Sequence, residues 1–220
     1  EGGAHENATP EGATPENATH ESRGEDMIAR WTRAEVIKLS TLPSLRLTAL
    51  LTVAATLLLT TADVPGPVLV HTQAGFLVLG ALAGAHEHQG GRQIDATLLA
   101  MPRRTVLPAA RSAALAVVTV PVALLAATGD GRPGAWLYLT ATTLTAAGVG
   151  ALLRNPVAAV GALLTAYHIG FPILIARLPA AGAWSPGTAL LEPGRGAAAM
   201  IAGTVLALLA ATVSLARRDA

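Results

Sequence analysis

Few residues in this 220-residue chain are of a type that does chemistry, and their spacing narrows what that chemistry is. There are no cysteines, which removes thiolate nucleophiles, disulfides and cysteine-based metal sites. The most tempting cluster is His86-Glu87-His88. Imidazole and carboxylate both bind metals, but adjacent and i+2 positions do not face one another on a helix. No His-x-x-x-His and no further acidic cluster supports a metal site. Glu87 reads instead as an interfacial acid with Arg92, Arg103 and Arg104 nearby in sequence. Tyr167 and His168 sit together inside an apolar run, ahead of Gly170 and Pro172. Polar side chains at such depth face a bundle interior or a pathway, or hydrogen-bond a neighbouring helix. Both are therefore candidate pathway residues. The sequence holds no G-x-x-x-x-G-K-S/T phosphate loop, no G-x-S-x-G nucleophile elbow and no H-E-x-x-H zinc motif. The chain is expected not to be an enzyme and to bind no cofactor or metal itself.

The elements that must position these residues are written in the composition. The chain is 52% hydrophobic and 13% charged, with a mean hydropathy of +0.50. A soluble domain carries about 25% charged residues, so the deficit points to a membrane protein. Six apolar runs follow one another, at about Ser44–Ala62, Val68–Ala85, Ala109–Thr128, Ala135–Leu153, Pro156–Ile175 and Gly196–Ala216. Each approaches the ~20 residues that cross the hydrocarbon core. The first is the weakest, Thr-rich with Arg46 near its start, and Pro121 and Pro172 fall inside the third and fifth. The expected fold is all-α and polytopic: six transmembrane helices behind an N-terminal interfacial amphipathic helix.

Arginine and lysine orient the spans. With both termini inside, twelve basic residues lie on the cytoplasmic side, and only Arg132, Arg177 and Arg195 lie outside. This positive-inside bias predicts a multi-pass protein of the plasma or inner membrane with both termini cytoplasmic. Trp136 and Trp184 then fall near the outer interface, where belt tryptophans belong.

Residues 1–26 are a different kind of chain. Glutamate recurs at positions 1, 6, 11, 16 and 21 of a tandem pentapeptide, and this tail holds seven acids against Arg23 alone. It has almost nothing to bury and is predicted to be disordered. Its acidic, polar start lacks the basic-then-apolar pattern of a cleavable signal. Residues 27–220 form the expected membrane domain, with Met27 where the character changes. Within it, residues 27–43 predict an interfacial helix, with Ile28, Trp31, Glu35, Leu39 and Leu42 on one approximate face. The longest interruption between spans is the loop 86–108. Gly90-Gly91 breaks the second helix there, and Gln93–Met101 reads as a short amphipathic helix with Ile94, Leu98 and Met101 on one side. Pro102 stops that helix, and Arg103-Arg104 anchors the loop at the inner headgroups. A plain connector needs only a few residues, so this loop reads as a cytoplasmic docking element.

Two stretches resemble a known family. Glu35-Val-Ile-Lys38-Leu leads into the first span, and the second leaves through Glu87-His-Gln-Gly90-Gly91. Ala96-Thr97-Leu98-Leu99-Ala100-Met101-Pro102-Arg103-Arg104 then follows. Together these resemble the type-2 ATP-binding-cassette (ABC) transporter permeases, whose pattern there is roughly an acid, an aromatic, two residues and Gly, then T-L-L-x-x-P-x-R. His88 departs from it, standing where an aromatic is usual. The resemblance is best over residues 27–112. It implies a six-helix permease that pairs with a second permease copy or paralogue. It also implies separate ABC ATPase subunits, which bind the ATP and push a coupling helix in the loop 86–108. The docking residues it implies are Glu87, Gly91, Ile94, Leu98, Met101, Pro102, Arg103 and Arg104. The expected partners are thus the ATPase subunit, the second permease chain and the lipid bilayer, with no nucleic acid. The expected function is the permease of an ABC exporter. The alternative is a non-transporting membrane partner that uses the same loop for assembly, immunity or regulation. A membrane enzyme built on His86, Glu87, His88 or His168 would need a further ligand or acid that the sequence does not show.

Overall fold

A computed structural model describes residues 29–62, 68–86, 106–128, 134–184 and 195–218. The acidic tail and most of the predicted docking loop, with Glu87, Gly91, Ile94, Leu98, Met101, Pro102, Arg103 and Arg104, lie outside the described residues. Among the described residues nearly all are helical and none lies in a strand. The order is α1 (residues 29–41), α2 (Pro43–Thr61), α3 (Val68–Ala85), α4 (Val106–Ala127), α5 (Ala135–Leu153), α6 (Pro156–Arg177) and α7 (Arg195–Arg218). The six helices α2–α7 each contain a candidate span of 18 to 22 residues, or roughly 27–33 Å at 1.5 Å per residue. This is an all-α polytopic architecture. The runs read from sequence match these helices within a few residues. One difference is that α4 starts at Val106, so the last residues of the predicted loop already belong to a helix.

Local signals set the joints. Leu42 is extended (φ −69°, ψ 117°) and Pro43 starts α2, because proline suits the first turn of a helix but not its interior. Between α5 and α6 the chain reverses in two residues. Arg154 adopts a left-handed φ of 54° and its N–H closes α5 on the Gly150 carbonyl. Asn155 then caps α6, its Oδ1 accepting from the Val157 and Ala158 N–H groups at 3.0 and 3.1 Å.

The centre of the bundle is the pair α3 and α5. Alternating crossings make these two helices parallel, and Gly80 against Thr143 and Gly84 against Ala147 climb together, while Gly150 meets the Ala81 carbonyl. A Cβ on Gly80 would overlap the Thr143 carbonyl, and one on Gly84 the Ala147 carbonyl. Small residues thus let two backbones touch, which is how helices gain dispersion energy where lipid removes the hydrophobic drive. On another side of α5, Gly148 lies against Ala207 of α7, and the Thr145 and Thr204 hydroxyls hydrogen-bond at 2.8 Å.

Helix α2 is Thr-rich yet fit for lipid. Thr48, Thr52, Thr56 and Thr60 each donate a hydroxyl to the carbonyl four residues back, at 2.7–2.8 Å. Each polar group is thereby satisfied within the helix, as the hydrocarbon core demands. Thr56 also meets Thr72 of α3 at 2.9 Å.

Helix α6 is the irregular one. Residues Ala166–Gly170 form a π-helical turn, with the Phe171 N–H bonded to the Ala166 carbonyl. Pro172 follows directly and cannot donate to the His168 carbonyl. The wider turn is the local accommodation, a common device around membrane prolines.

Candidate functional site

Among the described residues, two places bring together polar side chains that could do chemistry. The first is the end of the bundle where α3 leaves and α4 enters. Helix α1 and the start of α2 pack there: Leu39 of α1 and Leu45 of α2 are buried with Leu79 and Ala83 of α3 and with Ala114 and Leu115 of α4. The face expected from sequence is the face used, with Glu35 and Leu39 buried and Trp31 and Leu42 half-buried; Ile28 lies outside the described residues. Glu35 is only 5% exposed, and Lys38 is 3.7 Å from its carboxylate. A buried carboxylate needs a charged or hydrogen-bonding neighbour, and the i+3 spacing supplies one. From α4, Arg111 reaches across and donates to the Ala83 and Gly84 carbonyls, at 2.5 and 3.3 Å. These are orphan acceptors at a helix C-terminus, where the dipole also favours a cation. The two ends of the predicted docking loop are thereby clamped to each other and to α1. Residues 87–105 of the loop lie between them, outside the described part.

The second place lies within the spans. Gln73 of α3, Tyr138 and Thr142 of α5 and Tyr167 of α6 come together. The Tyr138 hydroxyl donates to Gln73 Oε1 at 2.6 Å, in a buried setting. The Tyr167 hydroxyl adjoins Tyr138, Thr142 and Gln73. Its ring lies edge-on to Phe171, with centroids 5.4 Å apart at 68°, and it sits on the π-turn Ala166–Gly170. Gln73 is the sixth residue of α3 and Tyr138 the fourth of α5. At 1.5 Å per residue the Gln73 level is about 8 Å inside the start of its helix.

Satisfaction within this cluster is incomplete. Gln73 Nε2 and Thr142 Oγ1 are buried and make no hydrogen bond of good geometry. An unsatisfied buried donor costs about 1–3 kcal/mol, and membrane water is not at hand to relieve it. Apolar packing closes the surroundings: Leu69, Phe76 and Leu139 cluster with Tyr138, while Leu77, Ala146 and Leu163 cluster beside Tyr167.

No protein-family model matches this chain, and no curated protein or solved structure matches it. The chemistry of the two places therefore rests on their own residues. Tyr167, a candidate from sequence, belongs to the intramembrane cluster. His168, its neighbour, is exposed on the outer face of α6 and does not join it. Gln73, Tyr138 and Thr142 were not legible as site residues. The signal was present: Gln73 interrupts an apolar span, and the chain's two tyrosines are the two that meet. Among the described residues no three His, Asp or Glu side chains gather into a metal-sized group.

Proposed function

We propose that this chain is the membrane-spanning permease of an ATP-driven ABC transporter working as an exporter, coupled to separate ATPase subunits through the loop 86–108. The observation that carries the reading is the clamped base of that loop. The motif Glu87 to Arg104 supplies the docking residues, and its two flanking helices are fixed to each other by Arg111, to α1 through Leu39 and to α2 through Leu45. A force applied to the loop would thus reach α3, α4 and α1 as one unit, instead of bending a free connector.

The outer face of α6 supports a second permease chain. His168 and Thr165 are exposed there, and a Cβ added at Gly161 would meet nothing within 4 Å beyond its own helix. Ionisable and hydroxyl groups are costly against lipid tails, and open glycine positions admit a close helix partner. In this reading both termini are cytoplasmic, the membrane is the plasma or inner membrane, and ATP is held by the partner subunit.

The test is purification of the tagged chain from its native membrane in mild detergent, with the co-purifying proteins identified by mass spectrometry. The account expects an ABC ATPase and a second permease chain. A soluble partner without an ATP site, recovered in their place, would favour the non-transporting membrane partner and overturn the permease reading.

A further inference from the structure

The intramembrane cluster does more than join helices, because a purely structural network would satisfy its own donors. Three spans contribute to it, yet the Gln73 amide nitrogen and the Thr142 hydroxyl remain without hydrogen bonds of good geometry. Both side chains are more than nine-tenths buried, with Gln73 3% and Thr142 1% exposed. Among the described residues no charged side chain belongs to the cluster, so none of them would neutralise an ionic guest. What it offers is two uncharged donors, the Gln73 NH2 and the Thr142 OH, with the Tyr167 OH beside them, between apolar walls.

We infer that Gln73, Thr142 and Tyr167 form a binding site for the uncharged hydrogen-bond acceptor of an amphipathic molecule, such as the carbonyl of an ester or amide with an apolar tail. Tyr167 is the entrance. It is half-buried, while Gln73 and Thr142 behind it are closed off, and it rides on the π-turn Ala166–Gly170. A π-turn can shift along its helix by exchanging one set of backbone bonds for another, and such turns recur at functional sites. Movement of that turn would swing the Tyr167 ring and open the donors behind it. An apolar guest carrying an ionic head would have to leave its charge unpaired among these residues, which disfavours it strongly. The inference deepens the transporter reading above, and rests on it, by giving the class of molecule carried: neutral amphiphiles.

The experiment is photolabelling of the purified chain in detergent with a diazirine-bearing fatty-acid methyl ester, whose head accepts hydrogen bonds and carries no charge. A diazirine alkyltrimethylammonium of the same tail length serves as the ionic comparison. Specific labelling is the part removed by excess unlabelled methyl ester. The expected result is specific labelling by the ester of peptides from α3, α5 or α6. It should fall about fivefold in Thr142→Val or Tyr167→Phe, the factor expected for one neutral hydrogen bond, and the ammonium probe should give little. Both substitutions nearly keep the side chain's shape, and an unchanged melting temperature identifies a folded variant. Labelling without competition, labelling indifferent to both substitutions, or equal labelling by the ammonium probe would each overturn the site. The assay contains no ATPase. Competed labelling of a chain that recruits no ATPase leaves the site standing and overturns the transporter reading. ATPase recruitment without competed labelling does the reverse.

Discussion

Helices α3 and α6 differ little in the property that marks them as spans and greatly in where they sit. Their mean hydropathies are 1.6 and 1.8, yet 61% of the α3 window is buried inside the chain and 11% of the α6 window. Apolar content is what a lipid and a protein interior both accept, so hydropathy alone cannot separate them. What separates them is the placing of small and polar residues. Helix α3 puts Gly80 and Gly84 against the α5 backbone and turns Gln73 inward to Tyr138. Helix α6 leaves Gly161 open and His168 exposed, and breaks its regular winding before Pro172. The first is built as a fixed seam. The second has few contacts holding it, which is what a helix needs if it is to move or to meet another chain.

The largest expected effect comes from filling the seam. Gly84→Leu would force a side chain into the Ala147 carbonyl, and overpacking of this kind costs about 3 kcal/mol or more. Gly161→Leu adds the same atoms to open space on α6 and should alter the isolated chain's stability by less than about 0.5 kcal/mol. Thermal melting of the two variants in detergent compares them directly; similar losses would erase the distinction between the helices.

Next comes the polar bridge between α3 and α5. Tyr138→Phe leaves Gln73 Oε1 buried without its donor, a loss of about 1–3 kcal/mol. Adding Gln73→Leu removes the stranded amide, so the double variant should be more stable than the Tyr138→Phe single. Additive losses in the same melting assay would show that the pair is not coupled.

The clamp at the loop base ranks third. Arg111→Leu gives up both bonds to the α3 carbonyls, worth about 1–2 kcal/mol with the helix-end charge. Hydrogen exchange at the end of α3 should rise in this variant more than exchange near Gln73. Uniform protection would deny the clamp a local role. The smallest effect is expected at α2: Thr56→Val loses one interhelical bond to Thr72, about 0.6 kcal/mol in membranes. Thr60→Val, which gives up only its bond to its own helix, should be milder still, and the order of the two melting temperatures checks it.

These comparisons also mark what a sequence can and cannot carry. The six spans, the α1 face with Trp31, Glu35 and Leu39, and the break at Pro43 were legible because each depends on local periodicity or on proline chemistry. The Gly80-x-x-x-Gly84 spacing does not stand out in a chain with 22 glycines; only the partner backbone on α5 distinguishes it from the rest. The polar cluster was half legible. Tyr167 stood out by depth, whereas Tyr138 sits close to a helix start and resembles an interfacial aromatic. Its inward aim follows from packing three spans together, which no local pattern encodes. Tyr167 and His168 looked alike in sequence and diverge in the fold, since adjacent helical residues point about 100° apart.

The central claim is that the loop 86–108 docks an ATPase. The most direct measurement is a pull-down of the ATPase subunit with the full chain carrying Ile94→Asp and Leu98→Asp together, beside the unaltered chain, with ATP-dependent export measured in the same cells. Apolar anchors of this kind often carry most of an interface's energy. The account predicts that the double variant still inserts and still pairs with a second permease chain, but loses both the ATPase and export. Retained ATPase binding with full export would contradict it, and the loop would then be only a connector.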